Sequence, residues 1–239
     1  ASVTEPLFED IEAWAKHYVE TTDLQVKLAP APPPKRFRTH FEAVRLTHPG
    51  RPRELLRTQG RERMPSPSAL GDPLLRARVL HAFFHHELQA AELMCWAILA
   101  FSDAEPAFRK GLLGICLDEI RHLNLYRDHL GVLGSSVGSF GVRDWFWKRV
   151  PSCSTKVAFV ALMGMGFEAA NLEHAPHFAA RFRAAGDEAG AQMQERVALE
   201  ELSHVSFATR WFKRWTGGCS FEVWASDLRT QLATWVLHG

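Results

Sequence analysis

Six side chains stand out by type and spacing: Glu87, the Glu119–His122 pair, Glu168 and the Glu201–His204 pair. Each pair is a Glu-x-x-His, and residues three apart share one face of a helix. Each is preceded by a lone glutamate at nearly the same distance, 32 residues from Glu87 to Glu119 and 33 from Glu168 to Glu201. The surroundings repeat too. Glu87-Leu-Gln-Ala-Ala-Glu92 resembles Glu168-Ala-Ala-Asn-Leu-Glu173, and Asp118-Glu-Ile-Arg-His122 resembles Glu200-Glu-Leu-Ser-His204. Two lone glutamates and two Glu-x-x-His pairs, one group per helix of a four-helix bundle, are the donor set of a di-metal carboxylate site. Four carboxylates buried together would carry four negative charges, at a cost far above a domain's margin of stability. Two divalent cations cancel that charge. One imidazole per metal among oxygen donors suits iron or manganese, whereas zinc usually takes a tetrahedral site richer in nitrogen or sulfur. The expected cofactor is two iron ions, with manganese or a mixed iron/manganese pair as the alternative.

A single Glu-x-x-His most often lies on a solvated helix face. Here the neighbours are apolar: Ile115, Cys116, Leu123 and Tyr126 around one pair, Val197, Ala198, Val205 and Ala208 around the other. Tyr126, four residues beyond His122, falls on the same face one turn along and is the one candidate catalytic side chain, either redox-active or hydrogen-bonding. Its plainer role is a core tyrosine. Cys116 lies three residues before Glu119 and reads as a buried, inert thiol. His85 and His86 point about 100° or more away from Glu87, which suits packing better than ligation. Asp118 and Glu200 also point about 100° from their neighbouring ligands. They can support a ligand histidine or neutralise an arginine from outside the site, or simply face solvent. Gly164, Gly166 and Ala169 remove bulk near Glu168, leaving either room for a small molecule or a close approach of helices.

Positioning such a set requires long helices, and the helical period dominates after residue 70. Asp72-Pro73 is an N-cap followed by proline at the first helical position. The pattern predicts helices over 73–101, 105–132, 155–185, 187–215 and 220–237. Strand signals are scarce. Short turns at 101–106 and 185–187 make two helical hairpins, and the glycine- and serine-rich stretch 131–141, followed by Trp145-Phe146-Trp147, makes one long crossover between them. That is the connection pattern of a ferritin-like four-helix bundle. Glu87 and Glu92 stand about 140° apart on their helix, so only one of them can face the centre. Ferritin-like proteins place the lone glutamate about thirty residues or slightly more before the Glu-x-x-His, which selects Glu87 over Glu92 and Glu168 over Glu173.

The first 70 residues differ in character. Leu7, Ile11, Trp14, Ala15 and Tyr18 share one face of an expected helix over 6–20. Ala29-Pro-Ala-Pro-Pro-Pro34 has to run extended, and 21–70 reads as an irregular arm. The division expected is an N-terminal helix and Pro/Arg-rich arm (1–70) lying over a helical bundle with a C-terminal helix (71–239). Residues 1–34 hold six acids against two lysines, and 35–63 hold nine bases against three glutamates. The basic block can clasp a phosphate-bearing ligand or RNA, but its few aromatic residues favour pairing with the acidic first helix.

Composition bounds the rest. With 239 residues, 46% hydrophobic and 23% charged, the chain can bury a full core. A net charge of +1 disfavours a nucleic-acid partner. The longest apolar run, 157–167, is about half a membrane span. The acidic N-terminal stretch lacks a secretory pattern. Four cysteines without CxxC spacing rule against a disulfide scaffold or a zinc knuckle. No membrane association and a cytoplasmic location are expected.

Several stretches also resemble the bacterial ferritin-like family catalogued as domain of unknown function 455. They are Arg76-Ala-Arg-Val-Leu-His81-Ala-Phe-Phe-His85-His86-Glu87-Leu-Gln-Ala-Ala-Glu92, Asp118-Glu-Ile-Arg-His122, Asp144-Trp-Phe-Trp147, Gly166-Phe-Glu-Ala-Ala-Asn-Leu172 and Glu201-Leu-Ser-His-Val-Ser-Phe207. Lys27-Leu-Ala-Pro30 and Gly50-Arg-Pro-Arg-Glu-Leu55 extend the resemblance into the arm. It implies a di-metal ferritin-like bundle and assigns no reaction. The same superfamily includes the di-iron hydroxylase that oxidises the isopentenyl side chain of a modified tRNA adenosine, which bears on substrate only by analogy of fold.

The function expected is a non-haem di-iron oxidoreductase that activates dioxygen and hydroxylates or oxidises a small organic substrate. It needs an external electron donor, since no flavin or nicotinamide fingerprint is present, and a homo-oligomer is compatible with it. Two other readings stand beside it. One is a ferroxidase or peroxide-handling protein; the other is a bundle stapled by metal whose arm binds a partner.

Overall fold

The computed structural model describes residues 7–55 and 64–222, apart from the side chains of 168–171 and 173. The regular structure among the described residues is all helical, with no strand. By compactness the chain divides into two units, Ala1–Pro151 and Ser152–Gly239. The arm up to residue 55 therefore lies in the same unit as the first long hairpin.

In the first unit, α1 (Ile11–Glu20) starts where the Asp10 carboxylate accepts from the Ala13 N–H at 2.9 Å, a capping bond typically worth about 1 kcal/mol. Residues 7–10 are irregular, so the helix begins later than the apolar pattern suggests. Its apolar face, Ile11, Trp14, Ala15, Tyr18 and Val19, is buried and packs on α3. A short α2 (Leu24–Leu28), capped by Asp23, follows. The sequence pattern missed it because five residues are too few to show a period.

The proline strap then runs back along α1, with Trp14 Nε1 donating to the Ala31 carbonyl at 2.7 Å. The rest of the arm is tied by backbone bonds that no periodicity reveals: Val44 N–H to Leu99 O at 3.0 Å and Gly50 N–H to Val19 O at 2.9 Å. Trp96 Nε1 adds a bond to Leu46 O at 2.9 Å.

The two long helices are α3 (Pro73–Ala100) and α4 (Pro106–Val132), packed along their lengths. Asp72 caps α3 as expected, accepting from Leu74 N–H at 2.9 Å, with Pro73 in the first turn. From Ala77 to Ala100 almost every residue of α3 is buried, because both the arm and α4 cover it. Burying each large apolar side chain of this kind contributes about 1.5–3 kcal/mol. The crossover after α4 is anchored by Phe146, Trp147 and Val150, all buried.

In the second unit the expected helix over 155–185 is interrupted. It is built from α5 (Lys156–Val160), a π-helical segment (Ala161–Glu168) and α6 (Ala169–Ala184). Apolar periodicity does not distinguish i→i+5 from i→i+4 hydrogen bonding, so the sequence pattern shows one helix. The π segment holds Gly164, whose backbone lies so close to Ala208 on α7 (Glu188–Trp215) that an added Cβ would collide with the Ala208 methyl. Close helix approach is thus the role of this small residue.

The turn from α6 into α7 closes as a Schellman motif. Gly186 at φ 81° donates to Arg183 O, and Asp187 N–H donates to Phe182 O. Asp187 then caps α7 through Gly190 N–H at 2.9 Å. The expected C-terminal helix over 220–237 lies almost wholly outside the described residues. None of the described helices is long and apolar enough to cross a membrane.

Candidate metal centre

Midway along α3, Glu87 is 6% exposed, and opposite it on α4 Glu119 and His122 are fully buried. The spacing of three brings Glu119 and His122 to one side of α4, where His122 Nδ1 lies 3.4 Å from Glu119 Oε2 and 3.6 Å from Glu87 Oε2. One donor atom from each of the three falls within 4.8 Å of the others. Burial pushes the Glu87 carboxyl well above its usual range, and repulsion from Glu119 adds to the rise; the neighbouring imidazole only partly opposes it. Two buried carboxylates held against one imidazole fit a divalent cation, which supplies the positive charge the trio lacks.

The second unit repeats the pair on α7. Glu201 and His204 are both buried, and His204 Nδ1 lies 2.8 Å from Glu201 Oε2. Each unit therefore contains a buried Glu-x-x-His with its imidazole Nδ1 turned toward its own glutamate. Glu168 closes the π segment, and its side chain lies outside the described residues, as does that of Glu173.

Glu92 is a different kind of group. It is fully buried, and its carboxylate accepts from Arg51 Nη1 at 2.5 Å, Arg51 Nη2 at 2.8 Å and Trp147 Nε1 at 2.8 Å. Lys27 Nζ lies 2.8 Å away, itself bonded to the carbonyls of Tyr18 and Val19. Burial alone would raise the Glu92 pKa, but the charges of Arg51 and Lys27 outweigh it and hold the group below its usual value. Arg51 reaches on to Asp144 at 2.7 Å, and His85 Nε2 lies 3.1 Å from the same oxygen. Burial keeps His85 below its ordinary pKa despite Asp144, so the neutral ring donates from Nε2. Lys27, Arg51 and Asp144 were invisible as a set in the sequence, since 93 residues separate Arg51 from its second partner. The only hint is that all three fall within family-like stretches.

The remaining candidates are placed as follows. Tyr126 is buried one turn beyond His122, with its ring 5.8 Å from that of Phe83. Cys116 lies in the core with its thiol 3.5 Å from Cys95, and burial pushes its pKa far up. Asp118 pairs with Arg121 at 2.6 Å and Glu200 with Arg196 at 3.2 Å, each at its helix surface. Basic residues of the arm meet acids at the start of α1: Arg36 with Glu9, and Arg38 with the cap residue Asp10.

No curated protein and no solved structure matches the chain. Residues 9–234 match the family described as protein of unknown function DUF455, and over that near-complete span the chain belongs to it.

Proposed function

We propose that the two hairpins pack as a ferritin-like four-helix bundle and that their half-sites close around two metal ions, iron first and manganese or a mixed pair second. Glu87, Glu119 and His122 would hold them from the first unit, with Glu168, Glu201 and His204 from the second. The observation that carries this reading is the Glu87–Glu119–His122 trio: two carboxylates pressed together in a buried place, one held protonated by the other and by burial. The second buried Glu-x-x-His, on α7, supports it.

Such a pair of ions supplies redox equivalents and open coordination positions for the reduction of dioxygen. The protein would then be an oxygen-activating oxidoreductase acting on a small organic molecule, with an external electron donor. The chain's own part is to fix the donors on long helices, to exclude water around them, and to hold Tyr126 on the same face of α4. A buried phenol in that place can move a proton or an electron at its hydroxyl.

Metal content tests the reading. Purified protein loaded with ferrous or manganous ion is expected to hold two ions per chain, and Glu119→Ala is expected to lose at least one. Iron-loaded protein given a reductant should consume oxygen faster when its organic substrate is present. Protein that retains no transition metal after loading would sink the proposal. Rapid peroxide disproportionation, indifferent to any organic molecule, would move the function to peroxide or iron handling.

A further inference from the structure

The first unit contains a cavity of about 210 Å³ that the metal centre does not account for. One wall is a stripe of α3 carrying Arg78, Ala82, His85 and His86, spaced to share a helix face. The opposite wall is the crossover at Phe140, Val142, Arg143 and Trp145. No carboxylate is among the described residues that line it. The acid next to Arg143 in sequence, Asp144, is engaged by Arg51 and His85.

Arg143 is the anomaly. Its Nε and Nη2 are shut off from solvent and donate to no partner, although the residue as a whole is half-buried, and no ion pair or ring contact occupies its guanidinium among the described residues. The deeply buried cations of this unit behave otherwise: Lys27 and Arg51 share Glu92, and Arg109 meets Glu12. A sealed charged donor without an acceptor is costly, and a guanidinium matches carboxylate and phosphate by two parallel N–H bonds. Apart from Arg78, His85 and His86 the rest of the lining is aromatic or aliphatic, the usual mix of an organic binding site with a few polar anchors. A dry cavity of about 150 Å³ accepts benzene, so about 210 Å³ takes one ring and a substituent of a few heavy atoms.

We infer that this cavity binds a small organic anion, one ring or an equally compact apolar body carrying a carboxylate or phosphate that Arg143 grips. The cavity stands on its own geometry. That its ligand is the molecule oxidised at the metal centre rests on the function proposed above, to which His86 is joined in sequence through Glu87.

Calorimetric titration of the full chain with benzoate, phenyl phosphate and the neutral isostere benzamide tests the inference, in metal-free and iron-loaded protein alike. At least one anion is expected to bind at least tenfold more tightly than benzamide in both forms, and the stronger of the two distinguishes carboxylate from phosphate. Arg143→Met should erase that preference while Arg143→Lys keeps part of it. Val142→Phe, which fills the cavity, should weaken anion and amide together. Absence of binding by all three probes overturns the inference, as does equal affinity for benzoate and benzamide. So does an anion affinity unchanged in Arg143→Met, or one present only with iron, which would make the metal the seat of the anion. Because the metal-free arm needs no ion, failure of the metal reading and failure of this one show up separately.

Discussion

Glu87 and Glu92 lie five residues apart on one helix, both buried, and their surroundings are opposite. Glu92 is met by a lysine, an arginine and an indole N–H, and is held ionised. Glu87 is met by a second carboxylate and an imidazole, and is held protonated. The chain supplies its own cations to one carboxylate and brings another carboxylate to the other. A protein that needed only to neutralise buried acids would treat both alike. The difference separates a structural ion cluster, which ties the arm to α3, from a site that could hold a cation from outside.

The sharpest way to break this contrast is to remove each carboxyl in turn. Glu92→Ala leaves Lys27 and Arg51 buried without their shared acid, which is expected to cost about 3–5 kcal/mol. The measurement is the urea midpoint of the metal-free protein. Glu87→Gln deletes a group that repels its neighbour, so the same midpoint should stay or rise while metal content falls. Equal losses of stability in the two variants would erase the distinction.

Acid supplies a second, smaller effect. Burial would raise the Asp144 pKa, but the hydrogen bond from His85 and the charge of Arg51 outweigh it and hold it well below 3.8; Glu92 is likewise held below 4.5. A carboxylate whose pKa is lowered by folding contributes stability that is full above its unfolded value and is lost as pH falls through the folded one. His81 and His86, held at about 4 by burial, take stability from the metal-free protein as pH falls below about 6.5, and Glu87, held at about 8, offsets part of that loss. The share of Asp144 and Glu92 in the urea midpoint should be constant from pH 7 to about 5 and be lost steeply below about 4.5. In Arg51→Met that acid-dependent part should shrink, because a principal charge lowering both pKa values is gone. An identical slope in the variant would mean that other groups carry the acid response.

Much of this contrast is legible in the sequence, and the limit is instructive. Local rules suffice for Asp72-Pro73, for the long helices over 73–100 and 106–132, and for the placing of Glu119 and His122 on one face, since each depends on residues within a turn or two. The choice of Glu87 over Glu92 follows from helix phase and spacing. What Glu92 does instead is not legible. Its partners Lys27, Arg51 and Trp147 arrive from a short helix, an irregular arm and a crossover, none of which has a periodic pattern. The π segment around Gly164 escapes for its own reason: apolar periodicity does not tell i→i+5 from i→i+4 bonding, and the close approach to Ala208 is made to another helix. Arg143 carries no signal in the sequence, and only the surrounding fold shuts its Nε and Nη2 off from solvent.

The smallest effect concerns the arm's other attachment. Arg36 Nη2 lies 2.6 Å from Glu9 Oε1, as close as any contact in the Glu92 cluster except that of Arg51 Nη1, yet the two side chains are 62% and 76% exposed. Water screens the pair, and ordering two long side chains opposes it, so such contacts typically contribute about 0.2–1 kcal/mol. Arg36→Ala should shift the urea midpoint by no more than that, and salt at about 0.5 M should abolish most of the difference. Arg51, with 2% of its side chain exposed, should be several times more costly to remove and nearly indifferent to salt. If Arg36→Ala destabilised the protein as much as Arg51→Met, the arm would be held by its basic surface as a whole. The buried Glu92 cluster would then lose its standing as the place where arm and helix are joined.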